Sequence, residues 1–180
     1  MNTSTDILWY GRGGQGAFSA AKLLGAAYVF SGTGRHALAF PSFGPERRGA
    51  PVHAYTKLSA FPINDRSAVT EPDCIVCLDE TLVDDLDCGM LREGGTFLCV
   101  DAALETLAIE VLGRPIVNTA LLALLCARRG LLSADDVVEG VRATLPARIQ
   151  EGNVELVRRV FAQADALMEG ALRYDGGGAA

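Results

Sequence analysis

The chain has 180 residues, the size of one domain, and its 49% hydrophobic and 21% charged residues are ordinary for a globular protein and exclude a disordered one. Twenty-two acidic residues against 16 basic ones give a net charge of −6, which argues against broad nucleic-acid binding and against an anionic membrane surface. Twenty glycines stand out, and several cluster early.

The first residues carry no basic region, and the apolar run at 7–10 is too short for a signal peptide. No stretch reaches the roughly 18 apolar residues of a membrane span. A cytoplasmic protein is expected. Five cysteines (Cys74, Cys77, Cys88, Cys99, Cys126) without a signal are expected as reduced thiols.

Residues 6–10 form a short apolar run ending at Gly11, which suits a buried strand. Residues 14–30 follow with Ala17, Ala20, Ala21, Leu24, Ala27 and Tyr28 at helical spacing. Ser31-Gly32-Thr33-Gly34 ends that helix. Residues 35–51 read as irregular, because Pro41, Pro45, Pro51, Gly44 and Gly49 forbid a long helix. Residues 52–58 alternate as a strand, and 62–72 are a connection. A second apolar strand spans 73–78, with Asp79 at its C-terminal end. Gly94-Gly95 turns into a strand at 96–100. Residues 104–112 read as a short helix stopped by Gly113. Residues 115–117 read as a further short buried strand, with Asn118 capping the next helix.

The last third is helical. Ser133-Ala134-Asp135-Asp136 resembles a capping box with Asp in place of Glu. Pro146 separates that helix from the next. From Asn153 onward, Val154, Val157, Val160, Phe161, Ala164, Leu167, Met168 and Ala171 recur on one apolar face. Residues 1–175 are expected as one domain and 176–180 as a flexible tail. Strands alternating with helices indicate an α/β fold.

Gly11-Arg12-Gly13-Gly14-Gln15-Gly16 follows a strand and opens a helix. Glycine permits close backbone approach, and a helix N-terminus suits a phosphate. Tight strand–helix packing without a ligand would use the same glycines. A dinucleotide site also wants an acidic residue about 20 positions on, where this chain has Gly32-Thr33-Gly34-Arg35. There is no Gly-Lys-Ser/Thr, hence no P-loop. The stretch Phe40-Pro41-Ser42-Phe43-Gly44-Pro45-Glu46-Arg47-Arg48-Gly49-Ala50-Pro51 is stiff and charged, which suits an interface or an anion site. A solvated ion pair is the plainer alternative. Cys74-Ile75-Val76-Cys77 is a lone pair whose members face opposite sides of a strand, so buried structural cysteines are expected and no metal. His36 and His53 have no partnered nucleophile. Among the carboxylates Asp79 is the best site candidate, because ligands gather at the C-terminal ends of strands in α/β sheets.

With these residues in view, the chain resembles the gamma subunit, or gamma domain, of pyruvate and related 2-oxoacid:ferredoxin oxidoreductases. The resemblance rests on Gly11-Arg12-Gly13-Gly14-Gln15-Gly16, on the stretch from Phe40 to Pro51, and on Pro72-Asp73 leading into Leu78-Asp79. It rests further on Gly94-Gly95 and Gly113-Arg114-Pro115-Ile116-Val117-Asn118-Thr119-Ala120. It covers about residues 6 to 130, and Arg-Arg-Gly-Ala-Pro looks more like the pyruvate and branched-chain branch.

The resemblance implies a three-layer α/β/α sandwich around a mostly parallel or mixed sheet, with the C-terminal helices packed on it. It implies a subunit with no cofactor of its own and no catalytic residue. Thiamine diphosphate, Mg and iron–sulfur clusters would sit on alpha, beta and delta-type partners, which pass electrons to ferredoxin or another acceptor. The 2-oxoacid would be pyruvate or a branched-chain or aromatic relative, converted to acyl-CoA and CO2. Gly13, Gly14, Gln15, Gly16, Arg47, Arg48 and Asn118 would contact coenzyme A, and Phe43, Glu46, Arg47 and Arg48 the partner subunits. Two other readings stand beside this one: a non-catalytic structural interaction subunit, and a stand-alone nucleotide- or coenzyme A-binding module.

Overall fold

The computed structural model describes residues 4–42 and 51–175. Its sheet has the strand order β2-β3-β1-β4-β5-β6. The strands are β1 (Ser4–Arg12), β2 (His36–Ser42), β3 (Pro51–Ser59), β4 (Cys74–Cys77), β5 (Thr96–Cys99) and β6 (Leu172–Asp175). β1, β4 and β5 run parallel, while β3 is antiparallel to β1, β2 to β3, and β6 to β5. The sheet is therefore mixed, as expected. The helices are α1 (Ala17–Phe30), α2 (Ala102–Leu112), α3 (Asn118–Arg129), α4 (Ala134–Thr144), α5 (Ala147–Ala162) and α6 (Ala164–Ala171). None is long and apolar enough to cross a membrane, among the described residues.

β1 is central because its side chains are apolar on both faces. Ile7, Leu8, Trp9 and Tyr10 are all buried. The indole N–H of Trp9 cannot be buried without a partner. It donates to Thr56 Oγ1 at 2.9 Å, and that hydroxyl donates to the Ala21 carbonyl at 3.1 Å. One polar thread thus ties β1, β3 and α1 together.

The register sorts side chains by face. Cys74 pairs with Ile7 and Thr96, so these share the face on which α1 and α3 pack. Cys77 pairs with Tyr10 and Cys99 on the other face. There the cover is thin: two 3-10 turns, Glu80–Leu82 and Cys88–Met90, and their connections. Leu82, Val83, Leu86 and Leu91 seal it. Beyond α1 and α3, α4 packs on α1, and α5 packs on α2, α3 and α4.

Two local readings need correction. Residues 36–42 form strand β2 despite Pro41. β2 is the edge strand, where a missing N–H costs no ladder bond to a further neighbour. Residues 115–117 are not a strand. The flank of β5 is taken by β6, so they have no strand to pair with, and Ile116 N–H closes a tight turn onto the Arg114 carbonyl at 2.8 Å.

The C-terminal pattern is as expected in its caps. Ser133 and Asp136 form a reciprocal capping box, and Pro146 stands between α4 and α5. The apolar face from Val154 to Ala171 is carried by two helices, broken at Gln163.

Candidate functional site

The glycine loop sits where parallel strands β1 and β4 end and α1 begins. Gln15 N–H donates to the Arg12 carbonyl at 3.1 Å and closes the turn. Gly14 and Gly16 have φ of +92° and +86°, a region that disfavours any side chain. Gly13 and Gly14 are exposed, and a Cβ at either would meet nothing within 4 Å. They offer open backbone to whatever approaches.

Gln15 holds the loop from inside. Its Oε1 accepts from Arg12 N–H at 2.7 Å, and its Nε2 donates to Asp79 Oδ2 at 3.0 Å. Arg12 Nε donates to the same oxygen at 3.0 Å, and an Arg12 terminal nitrogen donates to Thr81 Oγ1 at 2.9 Å. Thr81 N–H and hydroxyl both donate to Asp79 Oδ1, at 3.0 and 2.5 Å. Asp79 therefore cross-links the ends of two strands and caps the 3-10 turn that follows. The Thr81 hydroxyl, then Gln15, Thr81 N–H and Arg12, hold its carboxyl below the usual carboxylate range, against a burial that pushes it up.

Asn118 completes the cluster. It is not a cap: it is the first residue of α3, Val117 precedes it, and no side chain caps that helix. Its Nδ2 instead donates to the Gly16 carbonyl at 3.4 Å. A Cβ on Gly16 would lie 2.5 Å from that nitrogen. The structure thus brings Gly13, Gly14, Gln15, Gly16, Asp79 and Asn118 together. Phe43, Glu46, Arg47 and Arg48 lie outside the described residues.

Sequence reasoning missed Arg12 and Thr81. The signal for Thr81 is its place two residues after Asp79, the spacing of an Asx cap. Arg12 carries no local signal, since its partner is 67 residues away. Cys74 and Cys77 are both buried and face opposite sides of the sheet. Among the described residues, no three His, Cys, Asp or Glu side chains could hold a metal ion together.

A mixed sheet with a glycine loop at the C-terminal ends of parallel strands β1 and β4, covered by helices on one face, places the chain in the α/β class. The family model for pyruvate ferredoxin/flavodoxin oxidoreductase matches residues 6–163. The chain belongs to that family. It is 39% identical over 176 residues to the pyruvate synthase subunit PorC of Methanothermobacter thermautotrophicus, covering 90% of this chain and 97% of that protein. It is 33% identical to the common gamma subunit of the pyruvate/ketoisovalerate oxidoreductases of Pyrococcus furiosus, covering 89% and 97%. The crystal structure of the pyruvate oxidoreductase subunit PORC of Thermotoga maritima superposes with a TM-score of 0.72 at 27% identity, covering 89% and 97%.

Proposed function

We propose that this chain is the gamma-type subunit of a hetero-oligomeric 2-oxoacid:ferredoxin oxidoreductase, active only with its partners. The family match along most of the chain carries this reading. The enzyme decarboxylates pyruvate, or a branched-chain or aromatic 2-oxoacid, and passes the acyl group to coenzyme A. Thiamine diphosphate, Mg and iron–sulfur clusters belong to alpha, beta and delta-type subunits. The residues described here do not fit a cluster, because the paired cysteines diverge and no ligand set assembles.

This chain's part is to present a preorganised surface. The backbone of Gly13, Gly14 and Gly16 forms the approach for an anionic part of coenzyme A. Gln15 and Asn118 hold that backbone in place. Arg12, Asp79 and Thr81 lock the loop to β4, so little ordering entropy remains to be lost on binding. Arg47 and Arg48 supply the cationic grip or the subunit contact.

The test is co-purification. A tagged copy expressed with the neighbouring subunits should draw down the larger thiamine- and cluster-bearing chains, and the isolated chain should be colourless. A tagged chain that purifies alone under those conditions would overturn the reading. In the assembled enzyme, Arg47→Ala should raise the KM for coenzyme A or weaken assembly. If neither changes, Arg47 has neither role.

A further inference from the structure

Of the five cysteines, Cys77 and Cys99 alone face each other across neighbouring strands. Each is the last residue of its strand, and β4 and β5 are parallel and in register there. The Val100 N–H donates to the Cys77 carbonyl at 3.0 Å and fixes that register. In-register residues of neighbouring strands have Cα atoms about 5 Å apart and side chains on one face of the sheet. A disulfide spans Cα atoms about 4.4–6.8 Å apart. The pair sits within bridging distance, and both residues are free thiols.

The two sulfurs are already in contact. The Cys99 thiol hydrogen-bonds to Cys77, and Cys77 Sγ in turn donates to the Asp79 carbonyl at 3.1 Å. The bond from Cys99 holds the Cys77 thiol below its ordinary range, against a burial that raises it. The thiolate is the reactive form of cysteine, so Cys77 is the nucleophile of the pair. The other cysteines are poorer ones. Burial pushes Cys74 up to about 12 and Cys126 up as well, and burial with the nearby Asp87 raises Cys88.

Access differs in the same direction. Cys77 and Cys99 are fully buried, but under the face covered by the 3-10 turns and their connections. A cover with few regular backbone hydrogen bonds opens locally and admits a small reagent. Cys74 lies on the face where α1 and α3 pack.

We propose that Cys77 and Cys99 are a redox modification site, which a peroxide closes to a disulfide and a small dithiol reopens. The Cys77 sulfur attacks one oxygen of hydrogen peroxide, and the O–O bond breaks. Cys77 becomes a sulfenic acid, and the other oxygen leaves as water with the thiol proton. The Cys99 sulfur then attacks the Cys77 sulfur, and the S–O bond breaks. The second oxygen leaves as water with the Cys99 proton. The two thiols lose two electrons in all, and the peroxide takes them up. Cys99 is the resolving residue because it already touches the sulfur that is oxidised.

The test uses the purified, reduced full chain. It is treated natively with hydrogen peroxide, its remaining thiols are alkylated, and it is digested without reduction for peptide mass mapping. Two of the five thiols should be lost, in one cross-link joining the Cys77 and Cys99 peptides. Dithiothreitol should restore all five. Cys99→Ala should form no cross-link and leave Cys77 as a sulfenic acid that dimedone captures. Cys74→Ala, on the other face of the sheet, should bridge as wild type does. The wild-type map decides the matter even where a variant folds poorly. Five thiols surviving a peroxide dose that oxidises the urea-unfolded chain would overturn the site. So would a cross-link that joins Cys88 to either residue, or one that joins two chains.

Discussion

Gly13 and Gly16 lie three residues apart in one loop but are glycine for different reasons. At Gly16, an alanine must take a φ of +86° and push against Asn118. The left-handed backbone alone costs about 1–2 kcal/mol. Gly16→Ala should therefore lower stability by about 2 kcal/mol in denaturant unfolding and disturb the position of Asn118. Gly13 faces open space, so Gly13→Ala should stay within about 0.5 kcal/mol of wild type. If Gly13 serves ligand approach, that variant should lose coenzyme A affinity at unchanged stability. Asp79 adds a pH signature. Its folded pKa is depressed, so its contribution is present above its unfolded value of about 3.9 and is lost as pH falls through the folded pKa. Asp79→Asn should cost about 1 kcal/mol at pH 7, with the gap from wild type closing as acid unfolding is followed below about pH 4. The sequence order alone places Asp79 at a strand end. That Arg12 and Gln15 reach it follows from β1 and β4 being parallel neighbours, a long-range pairing that no local pattern encodes.

Among the elements, the crossing of α1 and α4 is the most sensitive to volume. A Cβ on Gly140 would sit 2.6 Å from Ala27 Cβ and 3.1 Å from Ala27 Cα. Backbone cannot yield as a flexible side chain does. Gly140→Ala gains about 1 kcal/mol of helix propensity but forces the helices apart, at a cost of about 1–3 kcal/mol. The expected net outcome is a lower melting temperature, and a raised one would show that α4 slides freely on α1. Legibility at this scale follows the type of signal. The helices α1, α2, α4 and α5 were readable because their caps and periods are local: Gly113 ends α2, and Ser133 with Asp136 opens α4. β2 was hidden, because only its place at the sheet edge makes Pro41 acceptable. The role of Asn118 was hidden as well. A cap is the default for that residue type, and the Gly16 carbonyl that captures its amide is 102 residues away.

For the whole molecule, the two faces of the sheet differ in how firmly they are covered. One is sealed by packed helices. The other is sealed by 3-10 turns and connections held by a few leucines and by side-chain ties such as Lys57 to Asp65 at 2.6 Å. Segments with few regular backbone hydrogen bonds open at lower free energy than the global transition. The cysteines sit where they report this order. Cys88 is half-buried within the thin cover. Cys77 and Cys99 lie beneath it, side by side, and the Cys99 thiol lowers the pKa of Cys77 by hydrogen bonding to it. Cys74 and Cys126 lie on the helical side, where burial pushes Cys74 up to about 12 and Cys126 up as well. A thiol-alkylating reagent should therefore mark time rather than simple exposure. Under native conditions Cys88 should react first, then Cys77 and Cys99 together, at a rate set by lifting of the 80–95 cover. Cys74 and Cys126 should react only on global unfolding. Peptide mass mapping along a labelling time course would read this sequence directly, and simultaneous labelling of all five would mean that the cover has no motion of its own.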